Sequence, residues 1–318
     1  MNRLPSHRQA ALALLLCATT LSLSACRRAD QRRLFFIIVP SQDNPFFKTE
    51  ADAADAQAQA LGYRTRVDAH EDDAYLQDNL IDAAIASNAA AIILDNAGSD
   101  ASVSAVRRAV QAHIAVFLID REIDVSGLAK AQIIADNDQG ARLVATEFAR
   151  SLSGKGDYAE LLGRESDTNA QIRTRGFHAV LDGIPGLHLV SVQSANWSQS
   201  EAFQKTETML QAHASITGII AGNDTMALGA AAAVKSAGLT HIRITGFDGS
   251  NDAIAAIAGG DLDATVLQPA VSISRLAVHE ADLFLKTGST GQPERQIIPC
   301  DLVHRQNATD YANFEKLR

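Results

Sequence analysis

The chain repeats one alternation for most of its length. A short, nearly unbroken apolar run is followed by a longer Ala-rich stretch whose apolar positions fall three and four apart. Apolar runs lie at Leu34–Val39, Tyr63–Val67, Ala91–Leu94, Val116–Ile119 and Gln132–Ala135. They recur at Tyr158–Leu162, Leu187–Gln193, Gly218–Ala221, Arg243–Gly246, Ala264–Leu267 and Gln296–Pro299. Runs of this length, bounded by polar residues and glycines, predict buried strands. Helices are predicted at Phe46–Leu61, Ala74–Ser87, Ala101–Ala112, Gln139–Leu152 and Asn169–Leu181. Four more follow at Ser200–His213, Thr225–Ala237, Asp252–Ala258 and Val271–Lys286. Strands that are apolar on both faces and alternate with helices predict parallel sheets covered on each side. Asp136-Asn137-Asp138-Gln139-Gly140 divides the pattern into two βα arrays of similar length. The expected fold is therefore α/β, with two doubly wound parallel-sheet lobes.

The N-terminus stands apart from this pattern. Arg3 and Arg8 precede an apolar stretch, Ala10 to Leu23, which ends in Leu23-Ser24-Ala25-Cys26. A basic start, a short apolar core and small residues before a break read as a secretory signal, here residues 1–25. Leu-Ser-Ala-Cys resembles the bacterial lipobox, so Cys26 is expected to become the lipidated first residue, with 26–33 as a tether to a membrane surface. About 290 residues remain, more than one core usually spans, which again predicts two domains. The formal charge is -9, and removing the signal makes the protein more acidic. No basic tract remains beyond the tether, so nucleic acid is not an expected partner. Of the three cysteines, Cys17 lies in the signal and Cys26 in the lipobox, which leaves Cys300 as a small buried residue without a disulfide partner.

Neither array carries the Gly-x-Gly-x-x-Gly of a dinucleotide site or the Lys-Ser/Thr of a phosphate loop, and no cofactor is expected. In open parallel sheets ligands bind just beyond the carboxyl ends of the strands. In the first array those positions hold Asn44, Phe46 and Phe47, then Asp95 and Asn96, then Asp120 and Arg121. In the second they hold Arg173, Asn196 and Trp197, Asn223 and Asp224, Phe247 and Asp248, and finally Gln268. Each has a plain structural reading: Asn44 and Asn223 as helix caps, Phe247 as core, Asp120-Arg121 as a surface pair, Arg173 as a solvated charge. Together they make a mixture of amides, carboxylates, guanidinium groups and aromatic rings. A sugar hydroxyl both donates and accepts, and its charged partners make the stronger bonds. The C–H faces of a sugar pack on aromatic rings. No nucleophile or tuned acid–base pair falls among these positions, so no catalytic residue and no metal site are assigned.

The motifs NPFF at 44–47, LDNAGSDA at 94–101, IDRE at 119–122, RTRGF at 173–177, GNDTMALGA at 222–230 and TGFDG at 245–249 resemble those of the periplasmic pentose/hexose-binding proteins of sugar ABC transporters, ribose-binding type. The resemblance covers Leu34 to about Val303. It implies that Phe46 and Trp197 face opposite sides of a sugar ring, with Phe47 and Phe247 completing the apolar wall. It implies hydrogen bonds to the sugar from Asn44, Asp120, Arg121, Arg173, Asn223, Asp248 and Gln268, with Asn96 at a further pocket position. Trp197 departs from the pattern, which has Phe there. The resemblance also implies a three-segment hinge near Ala135-Asp136, Gln268-Pro269 and Asp301-Leu302. One lobe would hold 34–135 plus 269–301, the other 136–268 plus 302–318. The expected function is capture of a monosaccharide, a ribose-like pentose favoured, by a periplasmic, lipid-anchored monomer that delivers it to a membrane permease. A sugar sensor that presents its ligand to a chemoreceptor or sensor kinase is the alternative. An enzyme using Asp120, Asp248 and the two arginines is a weaker one, because Gly-x-Ser-x-Gly and His-Glu-x-x-His are absent.

Overall fold

The computed structural model describes residues 34–317. The signal, the lipobox Cys26 and the tether fall outside them. The first array runs β1 (Leu34–Val39), α1 (Pro45–Ala60), β2 (Arg64–Ala69), α2 (Ala74–Ala86), β3 (Ala91–Leu94), α3 (Val103–Gln111), β4 (Ala115–Ile119) and β5 (Ala131–Ala135). The second runs α4 (Asn137–Ser151), β6 (Gly156–Leu162), α5 (Thr168–Leu181), β7 (Leu187–Ser194), α6 (Gln199–Ala212), β8 (Ile216–Ala221), α7 (Asp224–Ser236), β9 (Arg243–Thr245), α8 (Asn251–Gly259) and β10 (Ala264–Leu267). The chain closes with α9 (Ala270–Thr287), β11 (Arg295–Ile298), β12 (Asp301–His304), a short 3-10 turn, β13 (Tyr311–Ala312) and β14 (Glu315–Lys316). Every predicted strand and helix is present, with ends displaced by no more than two residues.

The two large sheets have matching orders, β11-β5-β4-β3-β1-β2 and β12-β10-β9-β8-β6-β7. Each is doubly wound, with the reversal of direction beside its first strand. All pairings in these sheets are parallel except β12 against β10, where Leu267 faces Asp301 and Ala264 faces His304. The expectation of wholly parallel sheets fails at this edge for a simple reason. β11 ends at the cleft, and only Pro299 and Cys300 separate it from β12. Two residues cannot carry the chain to the far end of a sheet, so β12 enters from the cleft and runs backwards. Asp301 accordingly already belongs to the second sheet, and this crossing sits at Pro299-Cys300.

The strands read as continuous apolar runs because both of their faces are covered. In β1, Phe35, Ile37 and Val39 join one core cluster while Phe36 and Ile38 join another on the opposite face. Ala51, Ala54 and Ala58 of α1 lie in the first cluster with Ala277 and Ala281 of α9, where small side chains let the two helices approach closely. The chain passes between sheets at three places: β5 to α4, β10 to α9, and β11 to β12. At the second, Ala270 N donates to Gln268 O at 2.8 Å around Pro269, whose φ of -80° and ψ of 63° form an inverse γ-turn. Beside the other two, Gly140 of α4 packs under Phe247 and Cys300, where an added Cβ would come within 2.8 Å of the Phe247 ring. Among the described residues no helix is long and apolar enough to cross a membrane.

Candidate functional site

The carboxyl ends of the two sheets converge on one small, narrow cavity. The first sheet contributes Asn44, Phe46, Phe47, Asp120 and Arg121. The second contributes Asp167, Asn169, Arg173, Trp197, Asn223 and Asp248, and Gln268 enters from the crossing after β10.

Helix starts deliver much of this polar set. Asn44 caps α1, its Oδ1 accepting from Phe46 N at 3.0 Å, with Pro45 leading the helix. Asp167 caps α5 by accepting from Asn169 N at 2.8 Å, and Asn223 caps α7 by accepting from Met226 N at 2.9 Å. A cap satisfies an end N–H and turns the positive end of the helix toward the site. Capping and lining the cavity are thus one arrangement at Asn44 and Asn223.

Strained backbone aims other groups. Asp120 has φ +57°, and Arg121 N donates to Ile119 O at 2.6 Å across it, a tight γ-turn. Trp197 has φ +65° and Asp248 φ +130°. Such conformations cost about 1–3 kcal/mol each and persist only where the surroundings hold them. Here each places its side chain in the cavity wall.

The aromatic walls come from opposite lobes. The Phe46 and Phe47 rings meet edge-on, with centroids 5.6 Å apart at 82°. Two adjacent helix positions point about 100° apart, and each ring has its own support. Phe46 packs edge-on against Phe314, 5.6 Å away, and Phe47 lies under the Arg121 guanidinium at 5.0 Å. On the other side the Trp197 indole rests on Gly163 and Gly222. A Cβ at Gly163 would collide with the indole, so the ring fits only because that position is glycine. Trp197 Nε1 donates to Asp167 Oδ2 at 3.1 Å.

Both arginines are buried and locked. Arg173 Nε donates to Asn137 Oδ1 at 2.7 Å and its Nη1 donates to Gly222 O at 2.8 Å, while the guanidinium stacks 3.9 Å over Phe247. Its Nη1 also lies 3.4 Å from Asp248 Oδ1, which accepts from Gln268 Nε2 at 2.8 Å. Arg121 Nη1 donates to Asp72 Oδ1 at 2.8 Å and to Asn96 O at 3.0 Å. Its Nε lies 2.9 Å from Asp167 Oδ2. Burial alone would lower the pKa of Arg121, but the carboxylates of Asp167, Asp95, Asp72 and Asp120 outweigh it and raise it well above the ordinary value.

Carboxyl groups respond the other way. Burial pushes Asp120 up to about 6 against the opposing pull of Arg121 and Arg173. Burial likewise holds Asp248 well above the carboxylate range, opposed by Arg173 and reinforced by Asp224. Asp120 Oδ1 and Gln268 Oε1 have no hydrogen-bond partner in the protein, which leaves two acceptors for hydroxyl donors.

Ten of the residues singled out from the sequence line this cavity, while Asn96 and Phe247 lie behind it. Asn96 Nδ2 donates to Arg121 O at 2.7 Å and its Oδ1 accepts from Gly98 N at 3.0 Å, so it shapes the Arg121 loop. Phe247, fully buried, is the platform beneath Arg173. Sequence reasoning passed over Asp167 and Asn169. Their signal was an Asp-Thr-Asn start to the helix after β6, the same strand-end position that exposed the others. Cys300 is buried and free, and burial pushes its thiol up to about 12.

Comparison with known proteins places these features in a family. Residues 35–289 match the periplasmic binding protein domain. The D-apiose import binding protein of Paraburkholderia graminis is 55% identical over 92% of this chain and 94% of its own length. The ribose import binding protein of Haemophilus influenzae is 31% identical over 92% of this chain and 97% of its own. Among solved structures, an ABC transporter periplasmic solute-binding protein from Actinobacillus succinogenes with bound D-allose superposes with a TM-score of 0.82 at 26% identity, covering 88% of this chain and all of that one. On that match, extending through both sheets, the chain belongs to the periplasmic binding protein domain family.

Proposed function

We propose that this chain is the periplasmic substrate-binding component of an ABC importer and that it captures a neutral monosaccharide, D-apiose in preference to D-ribose. The observation that supports this most is the composition of the cavity wall: three aromatic rings, two locked arginines, carboxylates and amides, with no His, Cys, Ser or Lys among them. Such a wall can hold a polyol from all sides but offers no nucleophile. The ribose preference expected from the motifs gives way to D-apiose for two reasons. Identity to the D-apiose relative is 55% against 31% for the ribose relative. Trp197 also stands where the ribose-type pattern has Phe, and a larger ring changes the shape of the wall, which favours a differently branched isomer over ribose.

Capture proceeds by closure. Lobes 34–135 plus 269–300 and 136–268 plus 301–318 turn about the three crossing segments, and ligand contacts from both favour the closed form. A membrane permease then receives the sugar. Cys26 anchors the protein to a membrane by its lipid; Cys26→Ser should move it to the soluble periplasmic fraction, and an unchanged membrane fraction would remove the anchor from the account.

Thermal-shift measurement on mature protein tests the substrate class. A specific ligand raises Tm by mass action. D-apiose should give the largest shift, with D-ribose and D-allose smaller. No shift from any sugar or polyol would defeat the proposal.

A further inference from the structure

We propose that Asp167 is a positioning residue that ties the aromatic wall to lobe closure; this rests on the sugar-binding reading above. Its carboxylate performs three tasks at one buried point. Oδ1 caps α5 through Asn169 N at 2.8 Å. Oδ2 accepts the Trp197 indole N–H at 3.1 Å, which fixes the ring on its bed of Gly163 and Gly222. The same Oδ2 lies 2.9 Å from Arg121 Nε, which belongs to the opposite lobe. Arg121 and Asp167 are each no more than 4% exposed.

The partners differ in what they keep when the lobes part. Arg121 is held within its own lobe by Asp72 and by the Asn96 carbonyl. Asp167 is held within its own by Asn169 and Trp197. Among the described residues the Arg121–Asp167 contact is the buried charge pair that crosses between the lobes, beside a weaker bond from Asn169 Nδ2 to Asp120 O at 3.3 Å, the Phe46–Phe314 ring contact and the exposed Arg275–Glu315 pair. At the rim, Arg164 Nε approaches Asp72 Oδ2 at 3.5 Å, but Arg164 is 36% exposed and contributes less. Closure therefore brings two preformed, buried, opposite charges together with little side-chain ordering. A charge pair of this kind acts on the release rate more than on the encounter rate. Because one oxygen serves both Arg121 and Trp197, the wall that touches the sugar is held by the group that senses closure.

The chain has one tryptophan, so selectively excited tryptophan fluorescence reports on this point. Stopped-flow fluorescence with D-apiose and D-ribose would give association and dissociation rates for the wild type. Asp167→Asn keeps a competent cap and an acceptor for the indole but removes the charge facing Arg121. It should release ligand about tenfold faster, with association changed by no more than about twofold and an unchanged ligand-free Tm. Asp167→Ser also keeps a cap but loses the indole acceptor. It should bind more weakly again, with the preference between the two sugars reduced. Wild-type release rates in both variants, or an equal loss in association and dissociation, would overturn the proposal. Equal behaviour of the Asn and Ser variants would sever Trp197 from it. A wild type that responds to no sugar would instead defeat the sugar-binding reading itself.

Discussion

Asp120 carries the clearest electrostatic consequence at the scale of one residue. Burial raises its carboxyl to about 6, and its Oδ1 has no protein partner. A raised folded-state value means the protonated form is the one favoured in the ligand-free protein below pH about 6, and that its stabilising effect is lost as pH rises through that value. A hydroxyl donating to Asp120 favours the ionised form, so binding releases a proton whenever Asp120 starts out protonated. Affinity should be constant above pH about 6 and weaken as pH falls through it. Calorimetric titrations at pH 5 and 7.5 check this, and Asp120→Asn should abolish most of the difference. A second prediction concerns Gly163. Gly163→Ala forces a methyl into the space of the Trp197 indole and should push the ring into the cavity. Affinity should fall at least about tenfold, an effect of about 1.4 kcal/mol or more, measured by titration. Strand-end positions made most of these residues legible in the sequence. Which of them face the ligand was not legible, because that depends on tertiary neighbours. Asn96 spends its Nδ2 on Arg121 O and its Oδ1 on Gly98 N of its own loop, and Phe247 is covered by Arg173, and neither arrangement shows which residue faces the ligand.

At the scale of elements, the long apolar strands and Ala-rich helices were readable because their periodicities are strong. β12, β13 and β14 were not, because runs of two to four residues with mixed polarity have no period to detect. The β13–β14 hairpin nonetheless completes the site from outside. Its turn residues Asn313 and Phe314 have φ of +52° and +57°, the left-handed pair of a type I′ turn. Asn313 N donates to Asn251 Oδ1 at 2.7 Å on α8, and Glu315 pairs with Arg275 at 3.0 Å on α9. Phe314, buried, backs the Phe46 ring. Phe314→Ala should therefore lower stability by about 3 kcal/mol in denaturant titrations and also weaken ligand binding severalfold. A stability loss with unchanged affinity would show that Phe46 holds its place unaided.

At the scale of the whole molecule, two sheets of matching strand order meet at their carboxyl ends and are joined by three short crossings. The proposed cycle uses that geometry. An open form exposes the two aromatic walls; a sugar between them gains partners from both lobes at once; the closed form is the one presented to the permease. The balance depends on ligand contacts that exist only when both lobes engage, since a ligand with equal affinity for both forms would shift nothing. The division at Asp136–Gly140 was legible in the βα alternation, the other two crossings came from the family resemblance, and the backward run of β12, with the third crossing at Pro299-Cys300, became clear only from where β11 ends. What the chain captures is the central claim. Isothermal titration of the mature protein with D-apiose and D-ribose tests it most directly. The account predicts one-to-one binding of both, with D-apiose at least about tenfold tighter, about 1.4 kcal/mol. Equal or tighter binding of D-ribose, or no heat from either sugar, would contradict it.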